Sequence, residues 1–302
     1  MAPSERARRM MTVARTDPAA AHSLVGWYHQ GEEGLHQSAG LAFRWELQAA
    51  ERGHLDAQGY VGCAYRVGQG VAVDYAAAAT WLKKAATRGH STAQFNLGLA
   101  YEGGTGGVEQ NYELAAAWYQ RAANQSDASA MVNLGTLYGA GDGVEQNHAH
   151  ANALYREAID VGSNTNALLN ASLNLGISYF DGKGVDKCVA TALLLWQRAA
   201  DLGHAGSQYY VGMAYMKGEG GYQKNAQLAR QYIKASAAQG NDRAVALLKK
   251  WNACAHCGPA AAPKVCSGCT TTVYCRYCDA ECQLAQWTGP ADVHRAHCGG
   301  RS

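Results

Sequence analysis

Between residues 57 and 90, small and apolar side chains recur three or four positions apart, first as Ala57, Val61, Ala64 and Tyr65, then as Ala77, Trp81 and Ala85. Such spacing gathers each set on one stripe of an α-helix. Between the stripes stands Gly68-Gln69-Gly70, whose glycines take positive φ without a Cβ penalty and can reverse the chain. A first helix therefore ends there, and a second begins near Asp74. Gly62 lets a neighbouring helix approach closely, the Trp81 indole is the large knob with the alanines as its hole, and Gly89 stands where a left-handed cap is wanted.

The unit repeats. Val25-Gly26, Val61-Gly62, Leu97-Gly98, Leu134-Gly135, Leu175-Gly176 and Val211-Gly212 recur at steps of 36, 36, 37, 41 and 36 residues. Trp45, Trp81, Trp118, Tyr155, Trp196 and Tyr232 keep near step at 36, 37, 37, 41 and 36. Two markers sharing the same long fourth interval define six repeats. Gly53, Gly162, Gly203 and Gly240 are equivalent to Gly89, whereas the third repeat has Gln125-Ser126-Asp127 and is expected to end less tightly. Glu32-Glu33-Gly34 in the first loop suggests an end cap, and the extra residues around 163–169 suggest a lengthened fifth loop.

These residues, A-x3-[LV]-G-x2-Y, a Gly-x-Gly loop and A-x3-[WY]-x3-A-A-x2-G-[HN], resemble the Sel1-like repeat. The resemblance implies an all-α superhelical solenoid of helix-turn-helix repeats with a concave protein-binding surface. It organises the chain as a poorly ordered start over residues 1–18, then repeats over 19–54, 55–90, 91–127, 128–163, 164–204 and 205–241. Residues 242–252 supply a capping helix with Ala244, Leu247, Leu248 and Trp251 on one stripe, since a solenoid needs a terminal unit over its last face.

Composition narrows the function. A hydrophobic content of 48% with 17% charged residues is that of a packed chain, not a disordered polymer. The net charge of +2 is matched by residues 1–18, where four arginines oppose Glu5 and Asp17, so no basic face points to nucleic acid or a membrane surface. The first 18 residues lack an apolar signal region, and the longest uncharged stretch, 162–180, is studded with asparagines. The expected setting is intracellular, cytoplasmic or nuclear. Gly139-x-Gly141-x-Gly143 and the glycines of 103–107 occupy the repeat's own loop rather than a phosphate cradle. Cys63 and Cys188 are expected to be packed or shielded thiols; His54, His90 and His204, which follow capping glycines, are expected to make interhelical contacts.

The chemistry concentrates in residues 254–298, which hold eight of the ten cysteines. A segment that short needs a staple of metal or disulfide. Cys254-x2-Cys257 and Cys266-x2-Cys269 are thiolate pairs of zinc-knuckle spacing, while Cys278 and Cys282, like His294 and Cys298, stand four apart on one helical face. Cys275 is an alternative to Cys278. Four ligand pairs make two tetrahedral sites; with no open position they are structural, and filling them is worth roughly 10 kcal/mol or more each. A disulfide framework is disfavoured in a reducing compartment.

The constellation resembles the MYND-type zinc finger, over residues 253–298 with a tail at 299–302. That resemblance implies two structural zinc ions, one on Cys254, Cys257, Cys278 and Cys282, the other on Cys266, Cys269, His294 and Cys298. It further implies that Gln283 and Trp287 line a groove for proline-containing peptides. The chain departs from the family pattern in Cys275 and in residues 288–293, which lengthen the gap before His294. The expected function is a non-catalytic adaptor, with protein and peptide partners, no nucleic acid and no membrane. The competing expectation is a ubiquitin-ligase component using a RING-like cross-brace.

Overall fold

The structure is a computed structural model describing residues 3–252. Among the described residues there are α-helices and no strand: α1 (Glu5–Ala14), α2 (Pro18–Gln30), α3 (Ala39–Glu51), α4 (Leu55–Val67), α5 (Tyr75–Thr87), α6 (Ser91–Gly103), α7 (Tyr112–Ala123), α8 (Ala128–Ala140), α9 (His148–Val161), α10 (Thr165–Asp181), α11 (Val189–Asp201), α12 (Ala205–Lys217), α13 (Ala226–Ala238) and α14 (Asp242–Asn252). None is long and apolar enough to cross a membrane. The chain forms two compact units, one ending at Leu168 and the other beginning at Leu169.

Each repeat is a pair of helices closed by the same backbone bond. The amide of Ser38, Asp74, Asn111, Asn147, Cys188 or Asn225, at the start of the second helix, donates to the carbonyl of Tyr28, Tyr65, Tyr101, Tyr138, Tyr179 or Tyr215 at 2.8–3.0 Å. Except at Cys188, the same residue's side chain also caps its helix.

These caps correct the expected register. The buried side chain facing the first helix lies eight residues after the cap: Leu82, Tyr119, Tyr155, Trp196 and Ile233. A Cβ on Gly62, Gly98, Gly135, Gly176 or Gly212 would stand 2.2–2.8 Å from these side chains. Trp45, Trp81, Trp118 and Tyr232 lie one position earlier and are only half-buried, so the knob in the second repeat is Leu82 rather than Trp81. The first repeat shifts too: Val25 is buried at the glycine's position, whereas Gly26 is exposed with nothing near its missing Cβ. Its Asp17 cap and Gly31 terminator set this register, one residue away from the Val25-Gly26 alignment.

Three other expectations change. The chain start is a helix: Ser4 caps α1, Ser4 N–H donates to the Glu33 carbonyl at 2.7 Å, and Ala7 is buried with Val25 and Tyr28. The extra residues of the fifth repeat lengthen α10 to 17 residues, because Asn164 accepts from the amides of Asn166 and Ala167 and starts the helix a turn early. The third repeat closes like its neighbours, since Asp127 N–H reaches the Ala122 carbonyl at 3.2 Å as His90 N–H reaches Ala85. Ser126 provides that turn at a φ of +63°, which glycine supplies elsewhere.

Buried glutamines join successive repeats, a feature the sequence reading missed. Gln58, Gln94 and Gln208 donate to the carbonyls of Ala50, Ala86 and Ala200 at the C-terminus of the preceding pair. Their own carbonyl oxygens accept from Arg88, Gln125 and Gln239. Each of these helix-end carbonyls also accepts the turn amide of Gly53, Gly89 or Gly203, so the glutamine adds a second bond that ties the next pair to it. In the second unit α14 packs Ala244 and Trp251 against Ile233, with Leu247 and Leu248 alongside.

Two substitutions test these turns. At Gly70, φ is +73° and a Cβ would lie 2.2 Å from the Ala39 carbonyl oxygen, so Gly70→Ala combines backbone strain with a backbone clash. It is expected to cost about 3 kcal/mol in urea denaturation followed by helical circular dichroism. Ser126→Gly relieves a strained φ and is expected to stabilise by about 1 kcal/mol in the same measurement.

Candidate functional site

All the metal and peptide residues expected from sequence, Cys254, Cys257, Cys266, Cys269, Cys275, Cys278, Cys282, Gln283, Trp287, His294 and Cys298, lie outside the described residues. The helical pairs nevertheless place chemistry of their own. His54, His90 and His204 are N-caps: each Nδ1 accepts from the amide three residues on, at 3.1–3.4 Å. Cys63 is half-buried with its thiol pushed up by burial. Cys188 differs from the expected shielded thiol, because it opens α11 and its Sγ accepts from Thr191 Oγ1 at 3.1 Å; that bond favours the thiolate.

The second unit contains a cavity of about 150 Å³. Its floor is aromatic: Trp196 and Tyr210 stack with centroids 4.4 Å apart, and Tyr209 meets Tyr210 edge-on at 5.4 Å. Phe180, Leu193, Met213 and Ala214 complete the apolar lining. Trp196 is held by its Nε1–H donating to the Leu173 carbonyl at 3.1 Å, so the floor is fixed by the same residue that packs against Gly176. At the rim, Lys217 pairs with Glu219 at 3.5 Å. Arg243, from α14, donates to the Tyr210 hydroxyl at 2.9 Å, and among the described residues no carboxylate lies within ion-pair distance of it. An apolar floor beside such a cation can hold an apolar group adjoining a carboxylate. Of this site the sequence marked only Trp196; the Tyr209-Tyr210 pair followed by Met213 was the remaining signal.

Beside this cavity, Tyr215 stacks on Tyr222 at 4.4 Å and on Tyr232 at 5.9 Å. Gln197 accepts from the Tyr222 hydroxyl at 2.8 Å and donates to that of Tyr232 at 2.9 Å. Burial, then the proximity of Tyr215, Tyr232 and Asp201, pushes the Tyr222 phenol up to about 12.

A family model described as Sel1 repeat matches residues 19–54, 55–90, 91–127, 128–163, 169–204 and 205–241. Among solved structures, the chain is similar to a protective antigen present in uropathogenic Escherichia coli strains and displaying an SLR fold. The identity is 30% and the TM-score 0.64, over 80% of this chain and 50% of that one, so the chain spans half of that relative's length. It is also similar to a Sel1 repeat protein from Oxalobacter formigenes, at 28% identity and a TM-score of 0.66, over 74% of this chain and 86% of that one. No curated protein gives a significant match.

The tyrosine stack yields a pH prediction. Because the folded state favours the neutral Tyr222 phenol, its contribution to stability is complete below the ordinary value of 10 and is lost as pH rises through about 12. Alkaline titration followed at the phenolate absorbance is expected to show several late phenols, one of which, titrating near 12, is missing in Tyr222→Phe. The loss of stability across that window is expected to shrink in the same variant.

Proposed function

The chain belongs to the Sel1 repeat family, and from that premise we propose that it is an adaptor with two peptide-reading surfaces. Sel1-repeat proteins are generally protein-interaction scaffolds. The observation that carries the reading is the cavity of the second unit, where the Trp196–Tyr210 floor and Arg243, which has no carboxylate partner among the described residues, favour a partner segment with an aromatic or aliphatic side chain next to an acidic residue. The concave face expected of such repeats holds the remainder of that partner.

The second surface belongs to the cysteine-rich segment. Its donor set, seven thiolates and one imidazole arranged in pairs, suits zinc, which prefers sulfur and nitrogen ligands in closed tetrahedra. Cys254, Cys257, Cys278 and Cys282 would hold one ion, with Cys275 as the substitute for Cys278; Cys266, Cys269, His294 and Cys298 would hold the other. The metals organise the segment rather than react. Gln283 and Trp287 are then the peptide contacts, the indole offering a flat face for proline.

A peptide array carrying proline-containing and aromatic–acidic sequences tests both surfaces with zinc-loaded full-length protein. Trp287→Ala is expected to keep two zinc ions and to lose about tenfold or more in affinity for the proline class alone. Arg243→Glu is expected to weaken the aromatic–acidic class alone. Retention of both classes by both variants would mean that neither surface reads peptides.

A further inference from the structure

The position that packs a large apolar side chain against the first helix in the other five pairs, at Leu82, Tyr119, Tyr155, Trp196 and Ile233, is Glu46 in the first pair. Glu46 is 0% exposed. A carboxylate withdrawn from water requires hydrogen-bonding partners, and His22 of α2 supplies one: its Nδ1 lies 2.8 Å from one Glu46 oxygen and 2.9 Å from the other. A carboxylate only accepts, so Nδ1 carries the proton and the Nε2 lone pair of the neutral ring is left available. The His22 ring in turn faces the His54 ring, with centroids 4.6 Å apart and planes inclined by 26°. One ligand atom from each of His22, His54 and Asp56 lies within 4.8 Å of the other two.

We propose that His22, His54 and Asp56 bind a divalent transition-metal ion of borderline softness, for which zinc is the natural probe, and that Glu46 is the buried carboxylate that orients His22. Two imidazoles and a carboxylate form the ligand type that zinc and its neighbours accept, and a carboxylate behind a ligating histidine fixes the ring and raises its basicity. Access is open: the His22 side chain is 37% exposed and that of Asp56 64%. Asp56 has an outer partner as well. His90 uses Nδ1 to cap α6, leaving its Nε2–H to face the Asp56 carboxylate at 3.7 Å.

Ligation draws the three atoms together, because ligand atoms of a tetrahedral zinc lie only about 3.3 Å apart. The exposed Asp56 on the first turn of α4 makes the larger movement. His54 exchanges one role for another: its Nδ1 accepts from Ala57 N–H at 3.3 Å, and binding through Nε2 moves the ring proton to Nδ1 and gives up that cap. This makes His54 the weakest of the three ligands. The site is independent of the peptide surfaces and of the cysteine-rich segment.

Equilibrium dialysis of full-length protein over a range of free zinc, with bound metal counted per chain, provides the test. Wild type, His54→Asn and Asp56→Asn are compared; asparagine restores the helix cap but not the ligand, and the Asp56 exchange is at the surface. All three chains carry the same cysteines, so the difference isolates this site. Wild type is expected to bind one ion more than either variant at intermediate zinc. Glu46→Gln is expected to reach the wild-type count only at about 10–100-fold higher free zinc, with its helical circular dichroism retained. Equal counts in wild type, His54→Asn and Asp56→Asn at every zinc concentration would overturn the site, and an unshifted Glu46→Gln curve would overturn the role of the carboxylate.

Discussion

Every helix pair depends on one backbone hydrogen bond, in which the amide opening the second helix donates to the carbonyl of a tyrosine near the end of the first. A first helix ends with carbonyls that have no partner within the helix, and a second begins with amides in the same position. The bond satisfies one of each. It also sets the second helix against the first, so that the side chain eight residues after the cap meets the glycine of the first helix in the five later pairs. Packing between the helices is therefore a consequence of how the turn is closed.

Stacking one pair on the next uses the remaining acceptor capacity of helix-end carbonyls. The carbonyls of Ala50, Ala86 and Ala200 already accept the amides of Gly53, Gly89 and Gly203, and a glutamine from the following pair takes up the second lone pair of each. The ladder is short-range, with each glutamine tied only to the pair before it and to the end of its own pair. A repeat architecture of this kind distributes its stability over local interfaces, and a departure in one pair is absorbed by its neighbours. Ser126 illustrates this: it adopts a left-handed backbone, and the turn closes through the same Asp127–Ala122 bond.

The six repeats and their loops were legible because periodicity and glycine are local signals. Register was less so. Trp81 and Leu82 are both large and apolar, and no spacing rule distinguishes which faces Gly62; the cap at Asp74 decides it, and its position is fixed only when the turn is formed. Val25-Gly26 imitated the later dipeptides by step alone, while Asp17 and Gly31 set the helix one residue differently. Asn164 shows the same limit, since an asparagine among other asparagines does not reveal which one begins the helix. The cavity escaped because its residues come from α10, α11, α12 and α14, and only Trp196 belonged to a repeating pattern. The proposed zinc-ligand pattern, by contrast, is written in local spacings such as Cys254-x2-Cys257 and His294-x3-Cys298, and so is stated from sequence without the helices.

The first pair shows what a fixed backbone scheme permits. Its closing bond, Ser38 to Tyr28, is the same as in the others, yet both sides of the inter-helix contact are changed: valine replaces the glycine and glutamate replaces the knob. The two changes are physically separable. Val25 packs with Ala7 of α1 and with Tyr28 and Ala42, so its bulk is taken up on the side covered by the N-terminal helix. Glu46 cannot be accommodated by apolar packing and requires a donor, which His22 provides from one turn above Val25 along α2, on a helix whose course is already determined by Asp17 and Gly31. A polar centre can therefore arise in one pair without altering the closure of that pair or of the next.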